Sequence, residues 1–241
     1  MITEILNKRI NINLPTFVCD NPLSNKIPQP LPKSHSFMVF AGSAGSGKTS
    51  TALGLLTTKG KNACYRGVFH NIIIMIPKSS LSSLKKNPFK DLDDEKIFNK
   101  LTFNSLNEVY DMVKNYSDEN ENTLLYIDDM TASLKDNDVQ KLFSLMINNR
   151  RHLRLSIWML VQTYKSVPLT LRKTITHLFQ YKPNNKAEVR SIFDELLFYP
   201  KEIYEEVLQY VYKKKYDFLF ANIQNRKLYR KFNELILENK I

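Results

Sequence analysis

Short apolar runs alternate with amphipathic stretches along most of this chain. SFMVF (36–40) ends at a glycine-rich turn, NIIIMIP (71–77) stops at Pro77, and TLLYIDD (123–129) ends in two acids. LSIWMLVQ (155–162) and ITHLFQYK (175–182) follow. Apolar runs of this length without polar alternation suit parallel strands covered on both faces. LTFN (101–104) predicts a weaker strand. Between the runs, Leu106, Val109, Met112 and Val113 mark one face of a helix over 105–116, and Val139, Leu142, Phe143 and Met146 mark another over 137–149. Residues 49–56 read as a helix of small and apolar residues, and KAEVRSIFDELLF (186–198) as an amphipathic one. Strands alternating with helices predict an α/β fold, a mostly parallel central sheet covered by helices. Runs near 216–222 and 226–231 predict a hairpin at the sheet edge.

The pattern fails at two places. Residues 1–34 carry Pro15, Pro22, Pro28, Pro30 and Pro32, which excludes a regular helix or central strand. We read them as an extended arm, wrapped over its own core or docked on a neighbouring subunit, and 35–241 as a single domain. The charged segment 79–98 predicts an exposed loop.

A length of 241 residues suits one sizeable α/β domain. No apolar run is long enough to predict a membrane span, and the N-terminus lacks a signal-peptide core. Cys19, Cys64 and the 4 histidines fall in no zinc-like spacing, so we expect no structural metal and folding in a reducing compartment. The net charge of +11 fits a polyanionic partner, or merely a lysine-rich composition. Charge alone does not choose between them.

The glycine-rich turn does more. Gly42-Ser43-Ala44-Gly45-Ser46-Gly47-Lys48-Thr49 matches G-x-x-x-x-G-K-[ST] at every fixed position, between a predicted strand and a predicted helix. Glycines let main-chain N–H groups turn inward on a phosphate, and the helix behind them presents its positive end. Lys48 is expected on the β/γ-phosphates and the Thr49 hydroxyl on Mg²⁺. Asp128, at a strand end, can hold that magnesium through water, and Asp129 can orient or deprotonate the attacking water. Gln162, also at a strand end, would face the ligand crevice and sense the γ-phosphate. There is no D-x-x-G after the acidic strand, which argues against a GTPase, and no arginine-rich lid of a small-molecule kinase. The arginines cluster instead at Arg150, Arg151 and Arg154, with Arg172 beyond. Any of them could complete a phosphoryl-transfer site across a subunit boundary, bind DNA phosphates or solvate a helix end.

The segment IDDM…NNRRHLRLSIWMLVQTYKSVPLTLRKTITHLF, together with the phosphate loop, resembles the poxvirus-type genome-packaging ATPases of large DNA viruses and virophages, within the FtsK–HerA superfamily. The matching blocks are the acidic pair, Arg151-His152-Leu153, Gln162-Thr163-Tyr164, Val167-Pro168, Arg172 and Ile175-Thr176-His177. The resemblance spans about residues 36–180 and is weaker beyond. It implies a RecA-like P-loop NTPase core that hydrolyses ATP with Mg²⁺. It also implies a homo-oligomeric ring, a pentamer or hexamer, that drives double-stranded DNA through a viral capsid vertex. The setting it implies is the host cytoplasm or virus factory, with association to the virion. Residues 42–49 and Ser50 carry over as nucleotide-binding, Thr49 and Asp128 as metal-binding, and Lys48, Asp129 and Gln162 as catalytic. Arg151 is the first choice for a trans-acting finger, Arg172 the second and Arg150 the third. Asp129 stands where the wider superfamily more often has glutamate. Lys85, Lys86 and the 212–216 run are candidate DNA contacts. The rival readings are a related DNA helicase or translocase, and a non-catalytic nucleotide-binding assembly protein of the virion.

Overall fold

The computed structural model describes residues 22–82 and 88–237. In chain order the strands are β1 (Phe37–Ala41), β2 (Asn71–Met75), β3 (Ile97–Phe98), β4 (Thr123–Asp128), β5 (Leu155–Val161), β6 (His177–Tyr181), β7 (Phe218–Asn222), β8 (Lys227–Arg230) and β9 (Asn233–Glu234). Among the described residues they form one sheet in the order β3-β2-β4-β5-β1-β6-β7-β8-β9. Pairing is parallel from β3 through β6 and antiparallel from β6 through β9. The mostly parallel α/β architecture and the edge hairpin are therefore as the sequence predicts.

The helices are α1 (Lys48–Thr57), α2 (Lys78–Ser82), α3 (Phe103–Asp118), α4 (Asn137–Asn148), α5 (Leu169–Arg172), α6 (Lys186–Ile192) and α7 (Lys201–Val211). A π-helical turn, Phe193–Leu197, continues α6. Strand side chains alternate between two buried faces, as the period of two requires. Phe37, Val39 and Ala41 of β1 join Leu106 and Val109 of α3, Phe143 and Met146 of α4, and Val207 of α7. Met38 and Phe40 join Ala52 and Leu55 of α1 on the other face, together with Ile27, Leu31 and Tyr65 from irregular segments. The described part of the proline-rich arm thus packs on its own core, and the Tyr65 hydroxyl donates to the Pro32 carbonyl at 2.8 Å. Residues 1–21 of that arm lie outside the described residues.

Two expectations are corrected. Residues 101–104 are not a strand. Thr102 caps α3, accepting from the Ser105 N–H at 3.2 Å while its own N–H donates to the Ser105 hydroxyl at 2.9 Å. That reciprocal cap starts the helix at Phe103. The short strand beside β2 is instead Ile97–Phe98, inside the segment read as a loop, which also contains most of α2. Helix α7 is an addition to the predicted elements. Its buried Ile203, Val207 and Val211, spaced by four, carry the signal.

Phe179 of β6 joins the parallel core to the antiparallel edge. Its ring stacks on Phe40 of β1 at 4.2 Å and lies 4.6 Å from Phe220 of β7. Phe179→Ala should cost about 3–5 kcal/mol of stability in urea denaturation followed by circular dichroism, because the hole opens between two otherwise rigid strand sets. Phe198→Ala, at a ring 67% exposed, should change it by well under about 1 kcal/mol. Equal losses would show that Phe179 is not the joint.

Candidate active site

The glycine-rich loop leaves β1 at the carboxyl edge of the parallel strands, where open α/β sheets bind ligands. Its first N–H still pairs with the sheet, Gly42 donating to Val161 at 3.1 Å. A Cβ at Gly42 would lie 2.6 Å from Cβ of Tyr181, so the loop can pass β6 only as glycine. Gly47 caps α1 in left-handed conformation, φ 102°, and offers no side-chain acceptor. The first turn of α1 contains no acidic residue. The positive end of this helix is therefore balanced by nothing in its own first turn, which suits an anion. The Lys48 ammonium curls back on the loop, donating to the Gly42 carbonyl and to the Ser43 carbonyl at 2.9 Å.

Strand β5 lies between β1 and β4, pairing Ala41 with Val161 and Asp128 with Leu160. The next residues along the edge are thus Gly42, Gln162 and Asp129, side by side. Asp128 is buried, and the Thr49 hydroxyl donates to its Oδ2 at 3.4 Å. Burial pushes the Asp128 carboxyl up to about 6, against the opposing pull of Lys48; the negative charge of Asp129 adds to the rise. Burial likewise lowers Lys48, with the two acids countering. Asp129 takes a left-handed backbone, φ 54°, and donates its N–H to Leu160 at 3.1 Å. Gln162 Nε2 donates to both oxygens of Asp129, each at 3.1 Å. These groups, with Ala44, Gly45 and Ser80, line a cavity of about 250 Å³. A second cavity, about 680 Å³, follows residues 45–51 and reaches Tyr216.

The Thr49 hydroxyl and the Asp128 carboxylate are hard oxygen donors on one wall. Mg²⁺ takes one or two such protein oxygens and completes its shell with phosphates and water, so the residues fit that ion. Among the described residues, no group of three or more His, Cys, Asp or Glu could hold a metal without such help.

The arginines lie apart from this cluster. Arg172 donates to both Glu195 oxygens, at 2.8 and 2.9 Å, and to the Val167 carbonyl at 2.9 Å. Its guanidinium also lies over the Tyr164 ring at 5.1 Å. Arg150 donates to the carbonyls of His35 and Ile147, at 3.3 and 3.0 Å. Arg151 is exposed in the turn before β5. Seven strand residues separate that turn from Gln162, a span of roughly 23 Å, so Arg151 does not meet its own subunit's cavity. Ser50 is exposed at the first turn of α1 and lines the larger cavity. Lys85 and Lys86 lie outside the described residues, whereas Lys213, Lys214 and Lys215 are exposed in the turn before β7.

Some contacts at the site carry no local sequence signal. The Tyr181 hydroxyl donates to the Gly47 carbonyl at 3.3 Å and reaches the Thr51 hydroxyl, pinning α1 to β6. The Tyr164 N–H donates to the Glu188 carboxylate, and the Tyr164 hydroxyl to Glu195 at 2.9 Å, bracing the chain just past Gln162. Tertiary packing of helices and turns against the sheet brings these partners together.

The profile of the family described as "Poxvirus A32 protein" matches residues 28–191. No curated protein matches the chain. The fold is similar to that of the genome packaging NTPase B204 from Sulfolobus turreted icosahedral virus 2 in complex with AMPPCP. That match has 14% identity and a TM-score of 0.56, covering 85% of this chain and 99% of the other. It is also similar to B204, the DNA-packaging ATPase from Sulfolobus turreted icosahedral virus, with 14% identity, a TM-score of 0.57, and coverage of 80% and 95%. EssC (ATPases 2 and 3) from Geobacillus thermodenitrificans matches at 12% identity and a TM-score of 0.51, over 78% of this chain and 37% of that one. At these identities the likeness is one of fold.

The buried acid sets a pH test. In magnesium- and nucleotide-free buffer, the folded carboxyl of Asp128 titrates at about 6, above its ordinary 3.8. Its contribution to stability is fully present below the ordinary value and is lost as pH rises through about 6. Asp128→Asn should then stabilise the protein at pH 8 by on the order of 2–3 kcal/mol and change little at pH 4. Urea denaturation at both pH values checks this. The same gain at both would mean that packing, and not ionisation, sets the cost.

Proposed function

The chain belongs to the Poxvirus A32 protein family, and from that premise we propose that it is a viral genome-packaging ATPase that moves double-stranded DNA into a capsid. The observation that carries this reading is the convergence of Lys48, Thr49, Asp128, Asp129 and Gln162 on one small cavity at the edge of the sheet. The fold-level likeness to packaging NTPases, one described in complex with AMPPCP and another with ATP-gammaS, supports ATP as the substrate.

Each residue has a task in that reaction. The loop amides and the uncapped start of α1 hold the phosphates. Lys48 exchanges its two carbonyl partners for phosphate oxygens. Asp129 accepts the proton of the attacking water, its carboxylate held in place by Gln162. Gln162 lies between the phosphate loop and the acidic pair, so loss of the terminal phosphate is felt first at the end of β5. Thr49 and Asp128 would hold Mg²⁺, which when bound neutralises phosphate charge and polarises the transferring group.

Among the described residues that line the smaller cavity, Lys48 is the one cation. Phosphoryl transfer commonly takes a second cation from a neighbour. Arg151 of an adjacent subunit in a homo-oligomeric ring would supply it. The net charge of +11 fits a sequence-independent grip on DNA phosphates, a grip that weakens steeply with salt.

Lys48→Ala should abolish steady-state ATP hydrolysis, with and without duplex DNA, while circular dichroism stays that of the folded protein. Full activity in this variant would sink the site assignment. Arg151→Ala and Asp129→Ala should each lose about a thousandfold or more in turnover. Mixing the two variants should restore part of it, because one subunit then supplies the acid and its neighbour the arginine. No recovery on mixing, in assemblies shown to contain both, would remove Arg151 from the trans role.

A further inference from the structure

Tyr216 stands at the end of the phosphate loop away from the acids. It occupies the turn between α7 and β7 with a left-handed backbone, φ 68°, a conformation that bulky residues seldom take. Its edge is fitted to the loop: a Cβ on Gly47 would lie 3.2 Å from Tyr216 Cδ1. The ring is nevertheless 53% exposed. The Lys215 ammonium lies 5.0 Å from the ring centroid. An aromatic side chain held rigidly by strained backbone, yet open to solvent, acts as a surface for something else to rest on.

The geometry of the two cavities says what. Both are lined by Gly45, Lys48 and Thr49, so they meet along the loop. One holds the two acids and Gln162, where the terminal phosphate is cleaved. A triphosphate lying along residues 45–51 therefore delivers its nucleoside into the other. That cavity, about 680 Å³, is of a size that accepts small-molecule ligands, and among the described residues Tyr216 is its one lining residue from outside the loop and α1.

We propose that Tyr216 is the nucleobase platform of this site, an inference that rests on the reading of the loop as a nucleoside triphosphate site. The base is bound by its plane and not by its edge. Apart from Tyr216, the described residues of the lining offer main chain, Ser46, Lys48, Thr49, Ser50 and Thr51, and among them no carboxylate or carboxamide to read a hydrogen-bonding edge. A stacked base is tolerated whatever its edge, because every base has a π-face. The site therefore takes nucleoside triphosphates without reading the edge of the base, ATP and GTP alike.

Calorimetric titration of the full chain with Mg-ATP, Mg-GTP and Mg-tripolyphosphate tests this. Tyr216→Ala should weaken ATP and GTP binding by roughly 5- to 150-fold, the range seen when a base loses an aromatic partner. Tripolyphosphate, which has no base, should bind within about twofold of wild type, and Tyr216→Phe should restore nucleotide binding. Unchanged ATP binding in Tyr216→Ala overturns the proposal. So does an equal loss for tripolyphosphate, which would make Tyr216 a prop for the loop, or a loss confined to duplex DNA. A wild-type chain that binds tripolyphosphate and ATP equally well overturns the base platform alone. One that binds neither overturns the loop assignment with it.

Discussion

The register of three parallel strands fixes everything at this site. Ala41 pairs with Val161 and Asp128 with Leu160. The residues that follow, Gly42, Gln162 and Asp129, must then emerge together. A slip of β5 by one residue would send Gln162 to the other face and break its two hydrogen bonds to Asp129. What prevents the slip is apolar: β5 is buried from end to end, with Trp158 against Phe40 and Tyr65 on one face and Met159 in the helical core on the other. The same hydrophobic runs that drive the sheet together therefore set the positions of groups whose chemistry is entirely polar.

The polar groups are not arranged for stability. Asp128 and Lys48 are both desolvated, and burial drives each toward its neutral form. The one side-chain hydrogen bond to Asp128 is long, 3.4 Å from Thr49. A buried carboxylate held by so long a hydrogen bond is a cost that folding must offset elsewhere, and natural proteins keep such arrangements chiefly where function needs them. The left-handed backbone at Asp129 and Tyr216 belongs to the same pattern, because these two strained non-glycine positions flank one loop.

Much of this was legible in the chain. The eight-residue loop and the acidic pair announce themselves because their chemistry depends on neighbours in sequence, and the strands because buried parallel strands read as unbroken apolar runs. Gln162 was recoverable from its place at the end of such a run. The misreading of 101–104 was local: Leu101 and Phe103 look strand-like, but the Thr102–Ser105 cap decides for helix. Other features were out of reach for a different reason. That β5 lies between β1 and β4, that Tyr181 touches Gly47, and that Tyr216 lies against the loop are all pairings across long stretches of chain. Their partners are set by sheet order, which no local pattern encodes.

Arg172 shows how far the structure can alter a residue's reading. In sequence it ranks second to Arg151 as a candidate finger. In the fold, its guanidinium forms a two-pronged pair with Glu195, donates to Val167 and covers Tyr164, with only 12% of its side chain exposed. Swinging it toward a neighbour would leave Glu195 with only the Tyr164 hydroxyl among its described side-chain partners, and breaking a mostly buried pair of this kind costs about 3–5 kcal/mol. Arg150 is similarly committed to two carbonyls of its own subunit. Arg172 is better understood as a positioning residue. Through Tyr164 and Glu195 it ties the exit of β5, two residues past Gln162, to the π-helical turn beyond α6. The hydrogen bonds that Arg172 and Arg150 make within their own chain count against either as a trans-acting finger, while Arg172, through Tyr164, braces the end of β5 beside Gln162.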